Sequence, residues 1–172
     1  MAAKAGWTFP GNGEWRLGAE YDFATGDGDA TDGKSKTFNN LYPTNHPFYG
    51  YMDYQGWRNM KGWNLVTNFK PSRRTFLLAQ YWDFSLAQPK DGWYPASGVL
   101  PAAGLRTALA TNSDRHVGRE IDFLFRFVQT RLVVWEAGYG RFLPSAFIKS
   151  RVPASAHVYA SDWAYVMSTV KF

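Results

Sequence analysis

The architecture can be read outward from "GEWRLGAEYDFATGDGDATDG", residues 13–33. Its first half alternates. Trp15, Leu17, Ala19, Tyr21 and Phe23 fall on one side of an extended chain, and Glu14, Arg16, Glu20 and Asp22 on the other. Neighbouring side chains of a strand point to opposite faces, so Glu14–Ala24 reads as a strand with one ring-rich apolar face and one charged face. The second half turns to Gly, Asp and Thr, the composition of a solvated loop.

Five further segments carry strand signals. Lys61–Lys70 sets Trp63, Leu65, Thr67 and Phe69 against Asn64, Asn68 and Lys70. Arg74–Phe84 is apolar on both faces in its middle and cannot be oriented from its pattern. Gly118–Val128 sets Ile121, Phe123, Phe125 and Phe127 against Glu120, Asp122 and Arg126. Leu132–Phe142 and Asp162–Phe172 complete a set of about six. The connections alternate in length: "PSR" and "QTR" are tight, whereas residues 25–60, 85–117 and 143–161 are long. Long structureless loops are unusual in a compact soluble domain. Short turns on one side and long loops on the other are the habit of outer-membrane β-barrels.

Composition points the same way. The 172 residues bound a single domain, 1–172. Aromatic residues make up 18% of the chain, yet the mean hydropathy is only −0.37. Rings in a chain this polar suit the interfacial girdles of a membrane barrel better than a soluble core. No run approaches the ~18 apolar residues of a transmembrane helix, so a membrane would be crossed by strands. The absence of cysteine excludes disulfides, thiol catalysis and cysteine-based zinc sites. "MAAKAGWTFPGNG" lacks the apolar core of a signal peptide and reads as a mature or truncated terminus. The net charge of +5 comes with no Lys/Arg run, so no nucleic-acid partner is expected.

Catalytic and metal motifs are weak. In "GDGDATDG" the acids Asp27, Asp29 and Asp32 miss the EF-hand spacing, because the sixth position is Asp32 and the twelfth Phe38. His46, His116 and His157 read as loop residues with no paired spacing, and no Ser/His/Asp order can be placed on a site. No cofactor, metal or enzymatic activity is expected. If the apolar faces meet lipid, then Arg16, Glu20, Asp22, Asn64, Asn68, Glu120, Asp122, Arg126 and Glu136 line a water-filled path. Arg126 and Glu136 are candidates to pair across neighbouring strands. Acids outnumber bases on this wall; the positive charge comes substantially from Lys34, Lys36, Lys90, Arg106, Arg115, Lys149 and Arg151 in turns and loops.

The ending, with Ala164, Val166, Ser168 and Val170 alternating toward a terminal Phe172, looks like the signal that outer-membrane barrels present to their assembly machinery. Three segments carry a family resemblance: "FNNLYPTNHPFYGYMDYQGWRNM" (residues 38–60), "RHVGREIDF" (115–123) and "GYGRFLPSAF" (138–147). Together they resemble the C-terminal part of alginate export family outer-membrane porins. That resemblance implies an 18-stranded antiparallel transmembrane barrel built from a chain more than twice this long. Six strands cannot enclose a pore, since ~8 are needed merely to surround packed side chains. The expectation is therefore an all-β partial barrel, completed by residues outside this chain or by further chains or copies. It would sit in a Gram-negative outer membrane among lipid and lipopolysaccharide, passing polar solutes. The resemblance makes those solutes anionic, such as an acidic polysaccharide. Two other readings stay open: a soluble or surface β-sandwich binding through its loops, and an outer-membrane enzyme using a carboxylate pair.

Overall fold

The computed structural model describes residues 1–11, 13–43, 46 and 48–172, so Thr44, Asn45 and Pro47 of the first family-like segment lie outside the described residues. Among the described residues there are seven strands and one short helix: β1 (Ala2–Phe9), β2 (Glu14–Ala24), β3 (Met60–Ser72), β4 (Thr75–Ser85), β5 (His116–Val128), β6 (Val133–Pro144), α1 (Ala146–Lys149) and β7 (Ser161–Val170). The strands form one sheet in chain order, every neighbour antiparallel, and the sheet is open. Turns 10–13, 73–74 and 129–132 lie at one end, and loops 25–59, 86–115 and 145–160 at the other.

The six expected strands form, with ends displaced by at most a few residues. The seventh, β1, is a correction. It pairs with β2 from Ala2↔Asp22 to Phe9↔Trp15, supplying the partner that the sequence left unassigned. Its alternation is blurred because Ala2, Ala3, Ala5 and Gly6 offer almost no contrast in hydropathy. β4 also acquires an orientation: Leu78, Gln80, Trp82 and Phe84 face the loops, while Leu77, Ala79 and Tyr81 face away. His116 opens β5 and is not a loop residue.

The loops do not stand free. Ala24, Met60, Trp82, Phe84, Val117 and Phe142 from the strands meet Tyr49, Leu86, Trp93, Phe147 and Ile148 in one buried cluster at the loop end. Trp82 stacks on Phe84 at 5.3 Å and Trp93 on Phe142 at 6.1 Å. Fully burying each such ring favours the fold by ~2–3 kcal/mol, which is enough to draw otherwise polar loops over one face of the sheet.

Candidate functional site

Register assigns every strand residue to one of two faces. On the inner face, beneath the loops, Lys4, Glu20, Asn64, Trp82, Glu120 and Phe142 form one row across the strands. The next row holds Gly18, Val66, Gln80, Asp122 and Gly140. A third carries Arg16 and Asn68, and toward the turn end Arg126 stands opposite Glu136. All nine residues picked from the sequence thus share this face, joined by Lys4, Gln80 and Tyr165, which pattern reading missed.

The polar contacts on this face are specific. Lys4 Nζ lies 2.9 Å from Glu20 Oε1. Arg16 donates to Thr8 Oγ1 at 3.3 Å. Gln80 donates to Asp122 Oδ2 at 2.9 Å. The expected Arg126–Glu136 ion pair does not form among the described residues. Glu136 instead accepts the Tyr165 hydroxyl at 2.5 Å, because the Tyr165 ring lies over Gly138 and delivers its hydroxyl there.

A loop segment completes this face. Phe48–Tyr54, part of loop 25–59, crosses the inner side of the sheet. Met52 N donates to Glu120 Oε1 at 2.8 Å and Tyr51 N to Asp122 Oδ2 at 3.4 Å. Tyr54 meets Phe142 edge-on at 5.0 Å. Arg106 clamps the segment to loop 86–115: it donates to Tyr54 O at 2.9 Å and lies 3.5 Å over the Trp93 ring. Burial pulls its pKa down to about 10, so it stays charged at neutral pH. A cavity of about 270 Å³ remains between Phe48, Tyr51 and the wall residues Lys4, Arg16, Glu20, Asn64 and Gln80.

The outer face is apolar and bare. Leu65 is 61% exposed, Trp63 60%, Phe123 51% and Val166 77%. Two shallow concavities on it are lined almost wholly by apolar side chains, among them Leu17, Leu65, Phe69, Leu77, Phe123 and Phe125. Rings gather near both ends: Phe9 stacks on Trp15 at 5.0 Å at the turn end, and Tyr21 meets Trp63 at 4.5 Å nearer the loops. Charges appear on this face only toward the loop end, as Lys61, Asp83, Arg119, Arg141 and Asp162.

Two constellations read as weak from the sequence acquire definite structure. Asp83, His116 and Ser145 come together at the loop end, with His116 Nε2 3.1 Å from Asp83 Oδ2 and His116 Nδ1 2.8 Å from Ser145 Oγ. Asp83 also accepts from Arg119 at 3.2 Å, so this network ties β4, β5 and the start of α1 together. In the acidic loop, Asp29 accepts from Thr31 N and Oγ1, and Asp32 from Lys34 N and Lys36 Nζ. These bonds hold both carboxyls below the ordinary Asp range: the Thr31 side chain dominates for Asp29 and the Lys36 side chain for Asp32. Among the described residues no group of three or more His, Asp or Glu is arranged to hold a metal ion.

No curated protein and no solved structure matches the chain. A family model described as alginate export matches residues 1–161. With that match covering almost the whole antiparallel sheet, the chain belongs to the alginate export family.

Proposed function

We propose that this chain is a wall section of an outer-membrane β-barrel pore through which polar, anionic solutes such as an acidic polysaccharide diffuse. One observation carries the reading: a single sheet has an apolar outer face left bare and a polar inner face covered by its own loops. A soluble sandwich needs the reverse, its apolar face buried as core and its charges in water. A contiguous apolar surface of this kind marks contact with lipid or a partner. Strands of 10 to 13 residues across β2–β7 suffice to span a bilayer, which takes ~9–11 tilted residues. The anionic preference rests on the family. Passive transport is the action the arrangement supports. Conductance in planar bilayers of the protein taken in its native membrane assembly tests the proposal: discrete channels are expected. A protein that is monodisperse without detergent and silent in bilayers would overturn it.

A further inference from the structure

We infer that the cavity at the loop end of the outer face, between β5, β6, α1 and loop 145–160, binds a phosphomonoester of a glycolipid in the outer leaflet. This rests on the outer-membrane reading above. Contact with lipid accounts for the bare apolar strands, but not for charges that gather at one end of them. Along β5, Arg119 stands directly above Ile121, Phe123, Phe125 and Phe127, the apolar positions of that face. On an outer-membrane wall that is the height at which acyl chains give way to headgroups. Leu143 lies opposite Arg119 on β6, and a cavity of about 360 Å³ opens beside the pair. Arg119 and Lys149 line it with His116 and Ser145, facing Leu143 and Val158. Among the described residues no carboxylate lines it.

Asp83 fixes the polar groups from outside the cavity. Its Oδ2 accepts Arg119 Nε at 3.2 Å and lies 3.1 Å from His116 Nε2, while His116 Nδ1 lies 2.8 Å from Ser145 Oγ. A guanidinium held through Nε keeps its terminal nitrogens for a ligand, and such N–H groups match the oxygens of a phosphate. Lys149, exposed in the last turn of α1, has no ion-pair partner among the described residues and brings a second charge. Over the loop end of this face, Lys61, Arg119, Arg141 and Lys149 stand against Asp83 and Asp162, so cations exceed acids by two. A phosphomonoester carries about −1.5 to −2 at neutral pH, whereas a phosphodiester headgroup carries a single charge. The apolar side of the cavity, Leu143 and Val158, gives the rest of a glycolipid a surface that free phosphate would not use. Lipopolysaccharide, with phosphomonoesters on its lipid anchor, has the matching chemistry.

Lipid retained by the native assembly tests the site. The full protein is extracted from outer membranes in mild detergent, and bound lipopolysaccharide per chain is measured by immunoblot and phosphorus assay. Wild type should keep it through purification. Arg119→Gln/Lys149→Gln should keep about tenfold less. Lys34→Gln/Lys90→Gln, which removes the same charge from exposed positions in the other two loops, should match wild type. Lys149→Glu, which breaks no ion pair of the fold, covers the case in which the double variant fails to assemble. Delipidated wild type should rebind vesicles of lipopolysaccharide, and not vesicles of the same lipid after phosphatase removes its anchor phosphates. Equal binding of the stripped lipid, equal capture by phosphatidylglycerol vesicles, or displacement by inorganic phosphate alone would each overturn the inference. Unchanged retention in the assembled variants would do the same. Conductance of the same preparations keeps the two readings apart: channels that persist while retention ignores the substitutions leave the pore standing, and a protein absent from outer membranes sinks both.

Discussion

Asn59 shows how much of the loop architecture hangs on single side chains. It is fully buried at φ +47, in the left-handed region that Asn tolerates better than most residues. Its Nδ2 donates to Gln88 O at 3.0 Å and Gly92 O at 2.9 Å, and its Oδ1 accepts Gln88 N at 2.7 Å. Loop 25–59 is thereby stapled to loop 86–115. Asn59→Ala strands three backbone groups and should cost ~3 kcal/mol of stability, read by urea unfolding in vesicles and by new protease cuts within 86–115. Asp32 gives a pH-dependent counterpart. Its folded pKa is depressed, so its stabilising bonds are present above the ordinary Asp pKa and are lost as pH falls through the lower folded value. The carboxyl carbon shift of Asp32 should titrate below that of an unpaired Asp, and Lys36→Ala should move its midpoint back up.

At the scale of the element, β3 offers a comparison inside one strand. Leu65 points to the bare outer face and Val66 to the inner one. If lipid covers the outer face, Leu65→Arg should destabilise the membrane-folded protein by ~2–4 kcal/mol and Val66→Arg by far less. Urea titration in lipid vesicles checks the difference, and equal costs would place water on both faces. β2, β3 and β5 were legible because each carries one ring-rich and one polar side, and a side-chain period of two permits only one register that buries both correctly. β1 was not, since alanine and glycine do not declare a face. Nor could β4 be oriented, because Leu78, Trp82 and Phe84 face inward against loop aromatics that come from distant parts of the chain. His116 was equally opaque: its partners Asp83 and Ser145 lie about 30 residues away on either side, and only strand pairing unites them.

For the whole molecule, an antiparallel meander of seven strands begins and ends running in the same direction. Copies standing upright in one membrane would therefore join β7 to β1 in parallel, against the all-antiparallel pairing of bacterial outer-membrane barrels. Closure by strands that run antiparallel to both edges avoids this and leaves no unpaired backbone in lipid. Ala5→Cys and Ala164→Cys variants mixed in one outer membrane should accordingly give no disulfide dimer on oxidation. A dimer would point to a ring of copies.

The strands, their two faces and the alternation of tight turns with long loops are legible along the chain, because period-two hydropathy and turn chemistry are local properties. Strand parity alone also puts the nine polar residues on one face of the sheet. Which of those nine are buried is set by long-range packing. Glu120 and Asp122 are covered by a loop whose course depends on Gly50, on Arg106 stacked over Trp93, and on aromatic contacts between segments far apart in the chain. Burial of that kind is a long-range property, and no window of residues along the chain contains it.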